Sequence, residues 1–220
     1  MAVQKEIKRP DRDLVKALAE FGTATLHEAY GKKGAMPFYI KPLYPGMKVC
    51  GPALTVAVSP GDNLMIHYAM TLAQPGDVLV VDAKGFTEAG PWGDIMTTAA
   101  IVRGIAGLVI DGCVRDAETI REMGFAVFAR GTSMKGTTKT LPGDVNVPIT
   151  CASVPVYPGD IVVGDDDGVV VIPVAAAATV LEQARERESG EDQKRRELQA
   201  GKTTVELLGV DKILKSMGVE

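Results

Sequence analysis

Cysteine, histidine and sustained basic charge are all scarce in this 220-residue chain, and each scarcity removes a class of function. The three cysteines, Cys50, Cys113 and Cys151, never form a CxxC pair, so neither a zinc knuckle nor a redox dithiol is indicated. Two histidines, His27 and His67, cannot make an HExxH site, and without a GxSxG elbow serine hydrolysis is a poor candidate as well. Lysine and arginine number 24 against 28 acidic residues, a net charge of −4, and they form no sustained basic run. That disfavours nucleic acid as a partner, because duplex binding rests largely on neutralised phosphates. No stretch approaches ~18 apolar residues in a row, which disfavours a membrane span. The opening residues, Met1 to Pro10, carry charges where an export leader needs its apolar region. The expectation is a soluble cytoplasmic protein.

What is present is a chain with 46% apolar residues, enough for a full core. Short β-prone runs at Val49–Val58, Val78–Asp82, Gly107–Asp111 and Ala126–Ala129 alternate with helical stretches at Asp62–Ala73, Asp94–Gly104 and Asp116–Met123. This alternation predicts an α/β domain over residues 1–175. The later runs, Val154–Val156, Asp160–Val163 and Val169–Ile172, leave no room for crossover helices and predict antiparallel or mixed pairing. Near the start, a helix is expected from Asp11, and a second from about Thr25, with Glu28 completing a capping box. Five Pro-Gly pairs read as turns, and Asp165-Asp166-Asp167-Gly168 reads as a tight turn, since it lacks the oxygen spacing of a calcium loop. Residues 176–220 form a charge-rich C-terminal helical arm, packed on its own domain or on a neighbouring subunit.

Two loops could carry chemistry. The glycine-rich segment Lys84 to Gly93 enters a helix at Asp94, where free amides and the helix dipole suit a carboxylate or phosphate, although Asp94 can equally be a plain cap. The segment Asp111-Gly112-Cys113-Val114-Arg115-Asp116 follows an apolar strand, a common position for active residues in α/β domains. Arg115 can clamp a carboxylate and Asp116 can offer oxygen to a hard divalent ion; a simple salt bridge or cap is the plainer alternative. His67, inside a helix, reads as a packing histidine with a hydrogen-bond partner.

Taken together, Pro60-Gly61-Asp62-Asn63, Gly93-Asp94-Ile95-Met96-Thr97-Thr98-Ala99-Ala100 and Gly107 to Asp116 resemble the class II 4-hydroxy-4-methyl-2-oxoglutarate/4-carboxy-4-hydroxy-2-oxoadipate aldolases. These are related to the regulator of ribonuclease activity A, and the resemblance runs from about residue 20 to 175. It implies a β/β/α three-layer fold like that of phosphohistidine swivelling domains. It also implies a homohexamer, a dimer of trimers, with sites at subunit interfaces. It assigns Arg115 to the pyruvyl part of the substrate, Asp116 to direct binding of Mg²⁺ or Mn²⁺, and Asp94 to the metal through water. The amides of Gly93, Asp94, Ile95 and Met96 would hold the keto acid. Glu191, from a neighbouring subunit's arm, would support the metal through water, with Glu188 or Asp192 as alternatives.

The implied reaction is cleavage of 4-carboxy-4-hydroxy-2-oxoadipate to pyruvate and oxaloacetate, or of 4-hydroxy-4-methyl-2-oxoglutarate to two pyruvates, with oxaloacetate decarboxylation on the side. Competing expectations are a related hydroxy-oxoacid lyase, a noncatalytic regulator that binds a ribonuclease, and a Schiff-base aldolase using Lys84. Which of Arg130, Lys135 and Lys139 reaches the far end of the substrate is left open by the sequence.

Overall fold

The computed structural model describes residues 1–218. Helices α1 (Arg12–Leu18) and α2 (Thr23–Ala29) precede strands β1 (Lys41–Pro42) and β2 (Val49–Ala57). Then come α3 (Leu64–Leu72), β3 (Val78–Phe86), α4 (Asp94–Val102), β4 (Gly107–Val114), α5 (Ala117–Met123) and β5 (Ala126–Ala129). Short strands β6 (Gly131–Thr132), β7 (Asp144–Val145), β8 (Ile149–Cys151) and β9 (Val154–Val156) lead to β10 (Ile161–Asp165) and β11 (Gly168–Ile172). The long α6 (Val174–Gln199) and the small α7 (Thr204–Leu208) and α8 (Val210–Ser216) complete the chain.

The main sheet runs β1-β5-β4-β3-β2-β10-β11, with β2 to β5 parallel and β1, β10 and β11 antiparallel to their neighbours. Its two ends approach one another: Ala35 bridges Val170 just before β1, and Lys41 Nζ donates to the Asp167 carbonyl. The sheet is therefore curled nearly to a barrel. Strand alternation sends Leu79, Val81, Leu108 and Ile110 outward, under α3, α4 and α5. Val78, Val80 and Val109 point inward, onto the β8–β9 hairpin residues Ile149, Cys151, Val154 and Val156. Hairpin, sheet and helices are the three layers expected, and the antiparallel pairing of β8 with β9 and of β10 with β11 is as predicted. Among the described residues, no helix is long and apolar enough to cross a membrane.

A third cluster seats α1, α2 and the first turns of α6 on β10 and β11. Ala177, Val180, Leu181 and Ala184 form its α6 stripe at helical spacing, and all four are buried. Beyond Ala184 the helix carries charge on every face. It is held by Arg187–Glu191 and Glu191–Arg195 pairs one turn apart.

Two local expectations are corrected. The capping box at Thr25 does not form: α2 begins at Thr23, and Asp165 of the β10–β11 turn accepts from Thr23 N at 2.8 Å and Thr23 Oγ1 at 2.6 Å. A carboxylate delivered from a distant turn caps the helix, so the local box is not needed. Asp94 likewise does not cap α4; it is the first helical residue, after Gly93.

Candidate active site

Strands β3 and β4 lie side by side and parallel, so the loops leaving their carboxyl ends converge. Backbone bonds fix these loops: Arg115 N donates to Trp92 O at 2.9 Å, Gly90 N to Lys135 O at 2.9 Å, and Ser133 N to Val114 O at 2.8 Å. Trp92, fully buried and stacked on Phe125, donates from Nε1 to Thr97 Oγ1 at 2.8 Å, and Thr97 Oγ1 donates to Gly93 O at 3.0 Å. The entry to α4 is thus anchored in the core while its first turn faces out.

Arg115 and Asp116 follow β4 directly. Asp116 adopts the left-handed conformation, φ 55°, an uncommon state for a residue with a Cβ that is concentrated at functional positions. Its Oδ2 accepts from Asp94 N at 3.2 Å and stands 3.3 Å from Arg115 Nε. Gly93 makes room for this arrangement: a Cβ there would lie 2.3 Å from Asp116 Oδ2 and 3.1 Å from Arg115 Nε. Asp94 Oδ1 accepts from Ile95 N at 2.7 Å, so two of the leading α4 amides already face carboxylates.

Arg115, Asp94, Ile95, Met96 and Gly93 line one cavity of about 290 Å³. Its lining also includes Asn63, His67 and Lys139; the sequence offered Lys139 as one of three candidate cations and His67 as a packing residue, and gave Asn63 no role. Asn63 precedes α3 and His67 lies one turn on, a spacing that puts both on one face of the helix. Lys139 arrives on the 137–141 segment. The buried Asp62 carboxylate holds that segment through Thr138 Oγ1 (2.7 Å), Thr140 N (2.7 Å) and Leu141 N (3.1 Å). Burial pushes the Asp62 pKa up, but these bonds and one from Leu64 N outweigh it and hold the group at about 2.

The three cations left open by the sequence are now separated. Lys135 pairs with Glu88, and Arg130 pairs with Asp111 at 2.5 Å while lying over the Tyr39 ring. Only Lys139 of these three lines the cavity. Lys84 pairs with Asp82 and faces a separate hollow with Asp111 and Asp144, away from Arg115. The expected hydrogen-bond partner of His67 is missing: its Nε2 is buried without one among the described residues.

Glu191 lies elsewhere, in an open groove of about 910 Å³ between α2 and α6. There Arg187 contacts both Glu191, at 2.9 Å, and Glu28, at 3.8 Å. Neither Glu188 nor Asp192 lines the Arg115 cavity of the same chain.

Among the described residues no three His, Cys, Asp or Glu side chains gather as a ready metal cluster. The donor chemistry nevertheless fits a hard divalent ion that keeps much of its water. The Asp116 carboxylate is partly exposed, its Oδ1 enters no hydrogen bond among the described residues, and the missing Cβ of Gly93 leaves space beside it.

Comparison with known proteins gives this pair of loops its context. The RraA-like family, described as Aldolase/RraA, matches residues 23–171, which include both loops, Asn63, His67 and Lys139. The chain belongs to the Aldolase/RraA family. A protein of Halalkalibacterium halodurans, provisionally named a 4-hydroxy-4-methyl-2-oxoglutarate aldolase, is 45% identical over 157 residues, 71% of this chain and 75% of that one. Streptomyces coelicolor RraAS2 is described as an unusual member of the RNase ES inhibitor RraA protein family. Its structure superposes with a TM-score of 0.79 at 34% identity, covering 86% of this chain and 99% of that one. An uncharacterized Pseudomonas syringae protein superposes at 0.77, with 30% identity and coverage of 90% and 97%. Aldolase/RraA is a family capable of aldol-cleavage chemistry, and the curled mixed sheet described above matches its fold.

Proposed function

We propose that this protein is a divalent-metal-dependent aldolase that releases pyruvate from 4-hydroxy-2-oxo acids bearing a second carboxylate. Its substrates would be 4-carboxy-4-hydroxy-2-oxoadipate, 4-hydroxy-4-methyl-2-oxoglutarate or both, and oxaloacetate decarboxylation would be a side activity. The observation that carries this reading is one cavity lined by both Lys139 and Arg115, the latter in contact with Asp116.

In this reading Asp116 would hold Mg²⁺ or Mn²⁺ directly, and Asp94 and a neighbouring subunit's Glu191 would support it through water. Such an ion would supply Lewis-acid polarisation of the substrate's C2 carbonyl. The Arg115 guanidinium donates to the C2 oxygen and gains strength as negative charge grows there during C3–C4 cleavage. The α4 amides take the C1 carboxylate, replacing their present bonds to Asp116 and Asp94. Lys139 takes the far carboxylate. Asp94 orients the water that removes the C4 hydroxyl proton, and reprotonation of C3 completes pyruvate.

Glu191 lines the α2–α6 groove and not the Arg115 cavity of its own chain, so in this reading the arm is lent across a subunit interface of a homohexamer. Borohydride trapping with pyruvate provides the first test. Trapping of a covalent adduct would contradict the metal route, whereas loss of pyruvate release in EDTA and its return with Mg²⁺ is expected. The likeness to RraAS2 favours one second reading, a regulator that binds a ribonuclease. Altered ribonuclease activity without pyruvate release would establish it.

A further inference from the structure

Two residues that line the cavity each carry a buried polar atom with no partner among the described residues: Asn63 Oδ1 and His67 Nε2. Asn63 as a whole is 6% exposed. Its amide orientation is fixed, because Nδ2 donates to Pro91 O at 2.9 Å and toward Met96 Sδ at 3.6 Å, so the atom left over is an acceptor. An unsatisfied buried acceptor is costly, and beside a cavity either a ligand or a water can supply the missing donor. His67 stands one helical turn further on, with Lys139 close enough to affect it. Burial first, and then the Lys139 charge, lower its pKa, which favours a neutral ring.

An ammonium, a neutral ring nitrogen and a carbonyl acceptor in one wall suit a carbon that carries both a carboxylate and a hydroxyl. We propose that Asn63 and His67 read this carbon as the substrate binds: Asn63 Oδ1 accepts the hydroxyl's hydrogen bond before that proton turns to the water oriented by Asp94, and His67 Nε2, as an N–H donor beside Lys139, binds an oxygen of the adjoining carboxylate. The inference rests on the proposed function and names what makes the site select 4-hydroxy acids over plain 2-oxo diacids.

Calorimetry on the full, Mg²⁺-loaded chain tests it with two ligands that differ by one hydroxyl, 2,4-dihydroxyglutarate and 2-hydroxyglutarate. Neither has the C2 carbonyl that cleavage needs, so binding is read apart from turnover. The 2,4-dihydroxy ligand is expected to bind about tenfold to hundredfold tighter, since its absence leaves a buried acceptor unpaired. Asn63→Leu should bring the ratio to within about twofold of one. His67→Phe breaks no internal bond of Nε2, and it should weaken both ligands alike while the ratio stays. Equal binding of the two ligands by the unaltered protein, no binding of either, or a ratio that survives Asn63→Leu would overturn the inference; unchanged affinities in His67→Phe would remove that residue from it. A preserved hydroxyl preference without pyruvate release from any 4-hydroxy-2-oxo acid would sink the aldolase reading alone, and release without the preference would sink this one alone.

Discussion

Arg115 contacts Asp116 and otherwise faces the cavity, so its removal takes away a cation without disturbing the core. Arg115→Ala should lower kcat/KM for pyruvate release by about 10²–10³, the loss typical of an oxyanion donor, and an unchanged value would remove Arg115 from the mechanism. Gly93→Ala is the subtler test. The backbone there is extended, at φ −153°, so alanine fits the conformation, but its Cβ would press on Asp116 Oδ2. Activity should fall more than about tenfold with an almost unchanged melting temperature, because an exposed carboxylate moves aside at little cost in stability. Wild-type activity in Gly93→Ala would mean that the Asp116 position is unimportant. At this scale Arg115, Asp116 and Asp94 were legible because each stands where a strand ends or a helix begins. Lys139 could not be told from Arg130 and Lys135 in the sequence, since its segment reaches the cavity through long-range bonds such as Thr138 N to Gly61 O, Asn63 N to Thr138 O and Thr140 N to Asp62.

The 137–141 segment has no regular structure of its own and depends on Asp62. A carboxylate held at about 2, against an ordinary value of 3.8, adds stability that is fully present above the ordinary value and is lost as pH falls toward 2. That shift corresponds to about 2 kcal/mol at neutral pH. Denaturant unfolding between pH 5 and pH 2.5 should therefore show a steeper acid loss in the natural protein than in Asp62→Asn; parallel curves would contradict the assignment. The cores of the strands were readable from apolar runs bounded by Gly, Pro and Asp. The extensions of β3 to Phe86 and β4 to Val114 were not, because pairing past the register shift between Val81 and Phe86 is set by neighbouring strands, not by local pattern.

Closure of the sheet joins residues 35–41 to β11, a long-range contact with no local signature, so the layers were anticipated but the near-barrel was not. The arm was legible as a helix from its charge pattern, and the apolar stripe ending at Ala184 explains why only its first turns pack on the chain that carries it. If the rest is lent to a neighbour, the native mass should be six times the 23.2 kDa chain by light scattering, and deleting residues 185–220 should abolish pyruvate release while the core stays folded. A fully active truncated protein would show that the site is complete within one chain. The central claim is tested most directly by a lactate-dehydrogenase-coupled assay of pyruvate release from 4-carboxy-4-hydroxy-2-oxoadipate. Metal-stripped protein is assayed with and without Mg²⁺, with oxaloacetate run in parallel. Release from both compounds that depends on added Mg²⁺ is predicted; no release from either by folded, metal-loaded protein would contradict the account.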